Sequence, residues 1–282
     1  MATTKEIEED IDLISTIKDI TSTYQTLANM KVRRIQDEVL ETRNFLEGVA
    51  EIYHHAKLAY LSSLKQEGLE RASFVRRNKK SVTVYLSANE RFYGTLLLDT
   101  WNKVQRYAES NSTDLVVVGD IGKRLAEDHN LEQVKFFDLD DENPAQEQKR
   151  MILEHIKQYE EIIVFHGRFK SAFRQKPVKT NVSGGITLEE APKETRDYIF
   201  EPEPEAILEF FEEEIIGALF NQTVLEHQLA RFASRMVAMD QASQNADDKL
   251  EKLEHRASRL KKRAQNKKQL DRVIRSNLIN HN

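Results

Sequence analysis

The stretch of sequence that decides the fold is residues 225–264, which read LEHQLARFASRMVAMDQASQNADDKLEKLEHRASRLKKRA. Counted from Leu225 to Ala264 in alternating steps of four and three residues, eleven of the twelve positions are apolar. Apolar residues that recur every 3.5 positions over this length are typical of a coiled-coil seam. The carboxy-terminal third therefore predicts one long helix that packs along a second helix. The predicted seam residues are Leu229, Phe232, Met236, Met239, Leu250 and Leu253.

The segment that can supply the second helix lies at the amino terminus. From Thr4 to about Leu64 only Gly48 interrupts a run compatible with helix, and the first proline is Pro144. We therefore predict an antiparallel coiled coil in which a first shaft helix, residues 1–75, pairs with a second, residues 200–282. Two apolar rows indicate that the first helix contacts more than one neighbour. One row is Ile7, Ile11 and Ile14, and the other is Leu13, Ile17, Ile20, Tyr24 and Leu27.

The sequence between the two shaft helices has a different pattern. Short β-branched and aromatic runs occupy residues 82–87, 115–119, 134–139 and 161–166, and segments of helical character separate them. Strands that alternate with helices predict a mostly parallel α/β domain, here over residues 80–185. Residues 176–186, KPVKTNVSGGI, are a candidate for one antiparallel edge strand. The predicted fold class is thus mixed α+β and α/β, a long antiparallel coiled coil with an inserted Rossmann-like domain.

Composition excludes several classes of protein. Of 282 residues, 32% are charged and 39% are hydrophobic, which is typical of a folded protein and not of a disordered tail. The chain has no cysteine, so disulfide frameworks, thiolate zinc sites and cysteine nucleophiles are excluded. The start, MATTKEIEED, is acidic where a secretion signal needs a basic region, and no apolar run approaches the ~20 residues that cross a bilayer. We expect no direct membrane insertion.

Charge is distributed unevenly along the second shaft helix. Residues 256–275, the basic tip, contain nine Lys and Arg against one Asp, whereas the whole chain has a net charge of −5. The helix dipole and a solvated face explain part of this pattern, because cations favour the carboxy-terminal end of a helix. The alternative is that the basic tip enters an acidic partner surface. Nucleic acid is disfavoured as that partner, because the chain is acidic overall and the tip lacks interleaved aromatic residues.

Candidates for chemistry are few. Residues 119–124, GDIGKR, match a phosphate-binding loop only faintly, because the glycine spacing is too short and Arg124 replaces the Ser or Thr that holds magnesium. The eight histidines show no zinc-ligand spacing. We therefore expect residues 119–124 and the histidines to have structural roles. We therefore predict no catalytic residue, no cofactor and no metal ion.

Residues 226–246, EHQLARFASRMVAMDQASQNA, closely resemble the carboxy-terminal signature of the gamma subunit of F-type ATP synthases, whose core is Ala-Arg-Met-x-Ala-Met-x-x-Ala-x-x-Asn-Ala. Only the first Ala of that core differs, being Ser234 here. Three further stretches resemble the family in the same order. Residues 17–31 resemble its first helix, residues 87–94 stand in place of its Ser-Asp-Arg-Gly-Leu-Cys-Gly loop, and residues 198–202 stand in place of its Tyr-x-Tyr-Glu-Pro.

The resemblance implies a non-catalytic central-stalk rotor that couples rotation driven by ion flow to conformational change at the catalytic sites of a hexamer. It implies as partners the catalytic and non-catalytic subunits of that hexamer, an epsilon-type stalk subunit and a proteolipid ring. It also implies a cytoplasmic place, peripheral on the inner face of the cell membrane through the complex. The expected hexamer contacts are Arg235, Ala242, Asn245, Lys261, Lys262 and Arg263, of which the first three lie off the seam. The expected ring contacts are Tyr198 and Glu201.

The chain departs from the family pattern at three places. The loop of residues 87–94 lacks the usual glycine and cysteine, residues 229–231 read Leu-Ala-Arg where Ala-Ser-Glu is usual, and the family's tip motif is not readable in residues 261–270. These departures keep two alternatives open. One is a rotor-like paralogue in an F-type-like ATPase that does not make ATP. The other is a coiled-coil scaffold whose α/β domain recruits a different partner.

Overall fold

The computed structural model describes residues 4–67, 78, 80–131, 133–183 and 204–279. Two long helices of 64 and 76 residues enclose the other elements in chain order. The elements are α1 (Thr4–Glu67), β1 (Ser81–Leu86), α2 (Leu96–Ser110), β2 (Asp114–Val118), α3 (Asp120–Asp128), β3 (Val134–Phe137), α4 (Gln146–Ile156), β4 (Glu161–Ser171), β5 (Arg174–Asn181) and α5 (Pro204–Ile279). None of these helices combines the length and apolar character that crossing a bilayer requires.

The five strands form one sheet in the order β3-β2-β1-β4-β5. β1 pairs in parallel with β2 and with β4, β2 pairs in parallel with β3, and β5 pairs antiparallel with β4. The predicted fold class is confirmed, including the antiparallel edge strand, which begins at Arg174. Because the chain builds outward from β1 to β3 and then adds β4 on the other side of β1, the strand order reverses between β1 and β4.

Two side chains reduce the hydrogen-bonding capacity of β5, which is the outer edge strand of the sheet. Pro177 lies within β5, opposite Gly167 of β4. Proline has no backbone N–H, which is why it is found in edge strands and not in central ones. Lys103 of α2 donates a hydrogen bond from Nζ to the Pro177 carbonyl at 2.7 Å. The edge therefore lacks one donor and has one acceptor already occupied.

Helices cover both faces of the sheet. On one face Val84 of β1 lies in a cluster with Ile152 of α4 and Phe220 of α5. On the other face Tyr85 packs against Trp101 of α2, with ring centroids 5.3 Å apart. This alternation follows because successive side chains of a strand point to opposite faces. Strands that are buried on both faces explain the continuous apolar runs in the sequence.

The chain divides into two compact units. The sheet unit is Asn29–Ser234, and the coil unit is Met1–Ala28 with Arg235–Asn282. In the sheet unit α1 and α5 pack through an apolar cluster whose buried members are 0–7% exposed. At about 1.5–3 kcal/mol for each large apolar side chain, this cluster is a main stabilising contact of α5. Its buried members are Val32, Ile35, Val39, Leu225, Leu229, Phe232 and Ala233.

In the coil unit α1 and α5 run antiparallel. Three polar pairs join them, namely Glu8 with Lys261 at 3.0 Å, Lys18 with Asp247 at 2.6 Å and Gln25 with Asp240 at 2.9 Å. The residue number on α5 falls as the number on α1 rises, which confirms the predicted direction. Among the described residues of this unit, the buried apolar ones are Ile7, Ala28, Met239, Ala246 and Ala257.

Candidate functional site

A set of polar residues on α5 is buried in the sheet unit. Burial of polar groups costs free energy unless each group finds a hydrogen-bond partner. Their partners lie in β4, in the segments that follow β1 and β3, and on α1. We call these α5 residues together with Asp141 the polar cluster. Its members are Asp141, Glu226, His227, Gln228, Arg231 and Ser234, each 3–9% exposed.

Asp141 is the central acceptor of the polar cluster. Its carboxylate accepts hydrogen bonds from the backbone N–H groups of Asn89 at 3.1 Å and Glu90 at 2.8 Å. It also accepts a hydrogen bond from the Tyr93 hydroxyl at 3.0 Å and forms an ion pair with the Arg231 guanidinium. The Arg231 and Asp141 side chains are only 5% and 3% exposed. Asp141 therefore ties α5 to the loop that follows β1.

Arg231 makes further contacts around this ion pair. It donates from Nη2 to the Asp141 backbone carbonyl at 3.2 Å and from Nη1 to the Ser87 carbonyl at 3.3 Å. Its guanidinium lies 5.4 Å from the centre of the Tyr93 ring. Gln228 Nε2 also donates to the Asp141 backbone carbonyl, at 3.0 Å. These additional hydrogen bonds offset the desolvation cost that a buried ion pair carries.

His227 lies where the strand order reverses. The N–H of Gly167 in β4 donates to His227 Nδ1 at 2.9 Å, so Nε2 carries the proton and donates to the Ser87 carbonyl at 2.9 Å. Burial, with a smaller contribution from Arg231, lowers the pKa of His227 well below 6.5, so the ring is neutral. In open α/β sheets this crevice at the carboxyl ends of the strands is where ligands bind. Here a side chain of α5 occupies it.

The close approach of α5 to β4 depends on Gly167. A Cβ at this position would lie 3.1 Å from the Cβ of Ala230 and 2.8 Å from Cδ2 of Leu96. A side chain here would displace the end of the Leu96 side chain and crowd Ala230 of α5. Nearby, Ser234 Oγ donates to the Tyr93 carbonyl at 2.6 Å. The helix is thus held against the sheet by shape as well as by hydrogen bonds.

Glu226 connects α5 to α1 and to β4. Its Oε1 accepts two hydrogen bonds from the Arg43 guanidinium, at 3.1 and 2.8 Å, and its Oε2 lies 3.5 Å from Nε of Arg168. The Glu226 side chain is 7% exposed, whereas those of Arg43 and Arg168 are 34% and 54% exposed. A buried carboxylate is therefore satisfied by two cations that reach it from the surface.

The predicted seam residues lie at covered positions along α5. Leu229 and Phe232 are each 1% exposed in the apolar cluster of the sheet unit, and Met239 is 7% exposed in the coil unit. Three others are half-buried, namely Met236, Leu250 and Leu253.

The residues expected to contact a hexamer differ in exposure. Arg235, expected off the seam, is 5% exposed, and its guanidinium lies 6.0 Å from the centre of the Tyr24 ring on α1. Ala242 is half-buried and Asn245 is exposed. The tip residues Lys261, Lys262 and Arg263 are exposed. The expected ring contacts, Tyr198 and Glu201, lie outside the described residues.

The second apolar row of α1 is exposed in the coil unit. Its five members are between 39% and 58% exposed, in contrast to Ile7 of the first row at 1%. The hydroxyls of Thr16 and Thr23 donate to backbone carbonyls four residues earlier, at 2.9 and 2.8 Å, so the helix itself satisfies them. This part of α1 therefore presents an apolar row. The row is Leu13, Ile17, Ile20, Tyr24 and Leu27.

The glycines of residues 119–124 have a packing role. Gly119 has a φ of +97°, and a Cβ there would lie 2.8 Å from the backbone nitrogen of Ala88. Glycine is needed where φ is positive and another backbone segment approaches this closely. Across the described ranges, no group of three His, Cys, Asp or Glu residues is arranged to hold a metal ion.

The polar cluster was missed by the sequence analysis. Glu226, His227 and Gln228 fill every position between two seam residues, which is also the pattern of an ordinary solvated helix face, so the sequence did not mark them as buried. Asp141 had no local signal either, since it lies in a loop and meets Arg231 across 90 positions of sequence.

Three comparisons with known proteins agree. A family model described as "ATP synthase" matches residues 3–265. The ATP synthase gamma chain of Haemophilus influenzae (strain PittEE) is 24% identical over 265 residues, which cover 87% of this chain and 89% of that protein. The gamma chain of Moorella thermoacetica is 26% identical over 262 residues, which cover 89% and 90%.

Solved structures share the fold. The central stalk and c-ring structure of Tetrahymena thermophila mitochondrial ATP synthase contains a chain with a TM-score of 0.60 at 19% identity, over 79% of this chain and 99% of that one. A chain of Euglena gracilis mitochondrial ATP synthase has a TM-score of 0.51 at 14% identity, over 87% and 93%. The family match spans α1, the sheet and α5 as far as residue 265, and on that basis this chain belongs to the ATP synthase family and is similar to its gamma chains.

Proposed function

We propose that this chain is the gamma-type central-stalk subunit of a rotary ATPase, a non-catalytic subunit that couples rotation driven by ion flow to conformational change at the catalytic sites of a hexamer. One observation carries the proposal. The helix that bears the family signature, α5, is fastened into the carboxyl edge of the sheet by the buried polar cluster, at the position where other open sheets leave room for a ligand.

This attachment suits a subunit that transmits torque. Hydrogen bonds are directional, and in a buried network they resist rotation of α5 against the sheet better than apolar packing alone. The buried titratable groups His227 and Asp141 are engaged in structural hydrogen bonds, which supports a mechanical role for them. In such a role the shaft changes the relative stability of conformations at distant catalytic sites, and its own side chains do not touch the reacting phosphate.

The proposed partners are the catalytic and non-catalytic subunits of the hexamer, an epsilon-type stalk subunit and a proteolipid ring. Arg235, Ala242 and Asn245, with the basic tip, are proposed to face the hexamer, together with the exposed apolar row of α1. Tyr198 and Glu201 are proposed to contact the ring. The chain would then lie on the cytoplasmic face of the cell membrane, held there through its complex.

The proposal is tested by the composition of the native complex. The complex is captured from its own organism with an antibody against the sheet unit, which leaves both helix ends untagged, and is analysed by native mass spectrometry. We expect one copy of this chain together with several copies of other ATPase subunits. A complex that contains this chain alone, as a monomer or homo-oligomer, would instead indicate the coiled-coil scaffold.

A second candidate is a rotor-like paralogue in an F-type-like ATPase that does not make ATP. It is favoured by Arg231, which stands where the family pattern has Glu and is committed to a buried ion pair with Asp141. The same purified complex separates the two candidates. A proteolipid ring among its subunits and ATP synthesis in energised vesicles indicate the synthase, whereas hydrolysis without a ring indicates the paralogue.

A further inference from the structure

β4 and β5 extend beyond the rest of the sheet as a hairpin. β1 pairs with β4 only as far as Phe165, whereas the β4–β5 pairing continues to Ser171 and Arg174. The twelve residues 168–179 contain five Lys and Arg and no Asp or Glu. We call this segment the basic hairpin. Its cations are Arg168, Lys170, Arg174, Lys176 and Lys179, all exposed.

The two faces of the basic hairpin differ. On one face Phe169 is partly buried against the apolar cluster that joins α1 and α5. On the other face Arg168 of β4 lies directly opposite Lys176 of β5. At the turn Phe173 is 77% exposed, more than any other large hydrophobic residue that the structure describes. The hairpin is thus anchored on its inner face and presents cations around one aromatic side chain.

Most cations of the basic hairpin lack a counter-ion in the described part of the chain. Only Arg168 has a carboxylate nearby, at 3.5 Å from Glu226, and Lys170, Arg174 and Lys176 form no ion pair with a described residue. Like charges directly opposite each other on neighbouring strands are destabilising. This arrangement therefore costs the isolated chain some stability, and a partner that brings negative charge would recover it.

We propose that the basic hairpin is a docking surface for an acidic protein surface on the hexamer. The proposal rests on the proposed function. The basic hairpin combines one exposed aromatic side chain at its turn with cations along its two strands, and protein interfaces likewise combine an apolar anchor with polar contacts. Phe169 packs against the cluster that joins α1 and α5, and in sequence α5 continues from this cluster into the residues proposed to contact the hexamer, which begin at Arg235.

Two other anionic partners fit less well. A membrane surface is disfavoured because the hairpin exposes one large apolar side chain, which buries too little area for stable interfacial binding. Nucleic acid is disfavoured because the chain carries a net charge of −5, which opposes binding to a polyanion. Both remain as outcomes of the experiment below.

The test uses the full chain with the triple substitution Lys170→Ala, Arg174→Ala and Lys176→Ala. Its affinity for hexamer purified without this chain is measured at low and high KCl. We expect roughly tenfold weaker binding at low salt and a shallower salt dependence, so that the variant and the natural chain converge at high salt. Phe173→Ala should weaken binding at both salt concentrations, because its contribution is not electrostatic.

A matched control removes the same charge elsewhere on the sheet unit. It carries Arg106→Ala on α2 with Lys123→Ala and Arg124→Ala on α3, all exposed positions. This control should bind the hexamer like the natural chain. The hairpin triple should unfold at the same or higher denaturant concentration than the natural chain, because it removes like-charge repulsion, so weaker binding cannot come from misfolding.

The outcomes separate the two proposals. If the natural chain binds no hexamer, the proposed function fails and this inference fails with it. If the natural chain binds and the hairpin triple binds equally well, only the docking surface is wrong. Binding to phosphatidylglycerol vesicles or to single-stranded DNA is measured in parallel. Loss of either in the hairpin triple, with unchanged hexamer affinity, would overturn the inference in favour of that partner.

Discussion

At the scale of single residues, the Arg231–Asp141 ion pair is the contact whose loss should cost most. Arg231→Ala leaves a carboxylate that is 3% exposed without its cation. Breaking a buried ion pair by removing one partner costs about 3–5 kcal/mol, because the remaining charge stays buried. We expect a decrease of this size in the free energy of unfolding, measured by urea denaturation.

The control for this prediction is a surface ion pair. Lys18 and Asp247 lie 2.6 Å apart, but their side chains are 40% and 54% exposed. Because exposed pairs contribute little, Lys18→Ala should leave the urea midpoint close to that of the natural chain. An Arg231→Ala variant as stable as Lys18→Ala would show that the polar cluster does not hold α5 to the sheet.

His166 couples stability to pH. Its Nδ1–H donates to the Gly167 carbonyl at 2.9 Å and its Nε2 accepts from the Thr180 hydroxyl at 2.8 Å. Burial lowers the pKa of His166 from 6.5 to about 4. Between these values the unfolded chain binds a proton that the folded chain does not. The stabilisation is therefore complete above pH 6.5 and falls as the pH is lowered towards about 4, by about 3 kcal/mol in total.

His166→Asn should remove this part of the pH dependence. The free energy of unfolding is measured by urea denaturation at several values between about pH 7 and pH 4.5. We expect a shallower decrease for the variant than for the natural chain. His255→Asn, at a side chain that is 71% exposed, serves as the control and should keep the natural slope. Equal slopes for all three proteins would contradict the role of His166.

At the scale of elements, substituting alanine for two different glycines should change the free energy of unfolding in opposite directions. α1 continues through Gly48, and nothing lies within 4 Å of a Cβ built there. Gly48→Ala should therefore raise the free energy of unfolding by about 0.5–1 kcal/mol, the usual cost of glycine inside a helix. Gly119→Ala should lower it by more than about 1 kcal/mol, because both φ and the contact with Ala88 exclude a side chain. Denaturant unfolding checks both, and a destabilised Gly48→Ala would contradict the first.

Substitutions in the exposed row of α1 should weaken assembly without lowering stability. Ile17 and Ile20 are 41% and 51% exposed, so Ile17→Ser with Ile20→Ser should change the unfolding midpoint little. The same variant should bind the hexamer more weakly. Ile7→Ala is the control, since this residue is 1% exposed and its truncation should cost about 2–5 kcal/mol. Undiminished hexamer binding by the Ile17 and Ile20 variant would exclude the row as a contact.

How far the sequence predicts an element depends on whether its signal is local. Local patterns of a few residues encode the coiled-coil seam and the strands, so α5 and the five strands were predictable. β5 begins two positions before the expected run. The polar cluster depends on pairs far apart in sequence, such as Arg231 with Asp141, and no short pattern encodes them. The burial of Arg235 likewise depends on a contact between residues far apart in sequence, since its guanidinium lies over the Tyr24 ring of the other helix.

At the scale of the whole molecule, the basic tip is the strongest local charge of a chain that is otherwise acidic. Replacing Lys261, Lys262 and Arg263 by Glu should weaken assembly with the hexamer or the coupling of its ATPase to ion transport. The ratio of ions moved to ATP hydrolysed is the measurement. Lys249→Glu with Lys252→Glu, exposed residues earlier on α5, is the control. An unchanged ratio together with normal assembly would indicate that the basic tip is only a solvated helix end.

The occupied edge at β5 has a consequence for how copies of this protein behave when concentrated. A free strand edge is a template on which another chain can extend a sheet, and repeated addition leads to fibrils. Pro177 cannot donate to an incoming strand, and Lys103 already holds its carbonyl. The positive charges on either side of this proline repel a second copy. At high expression levels, cross-β aggregates should therefore not grow from the β5 edge.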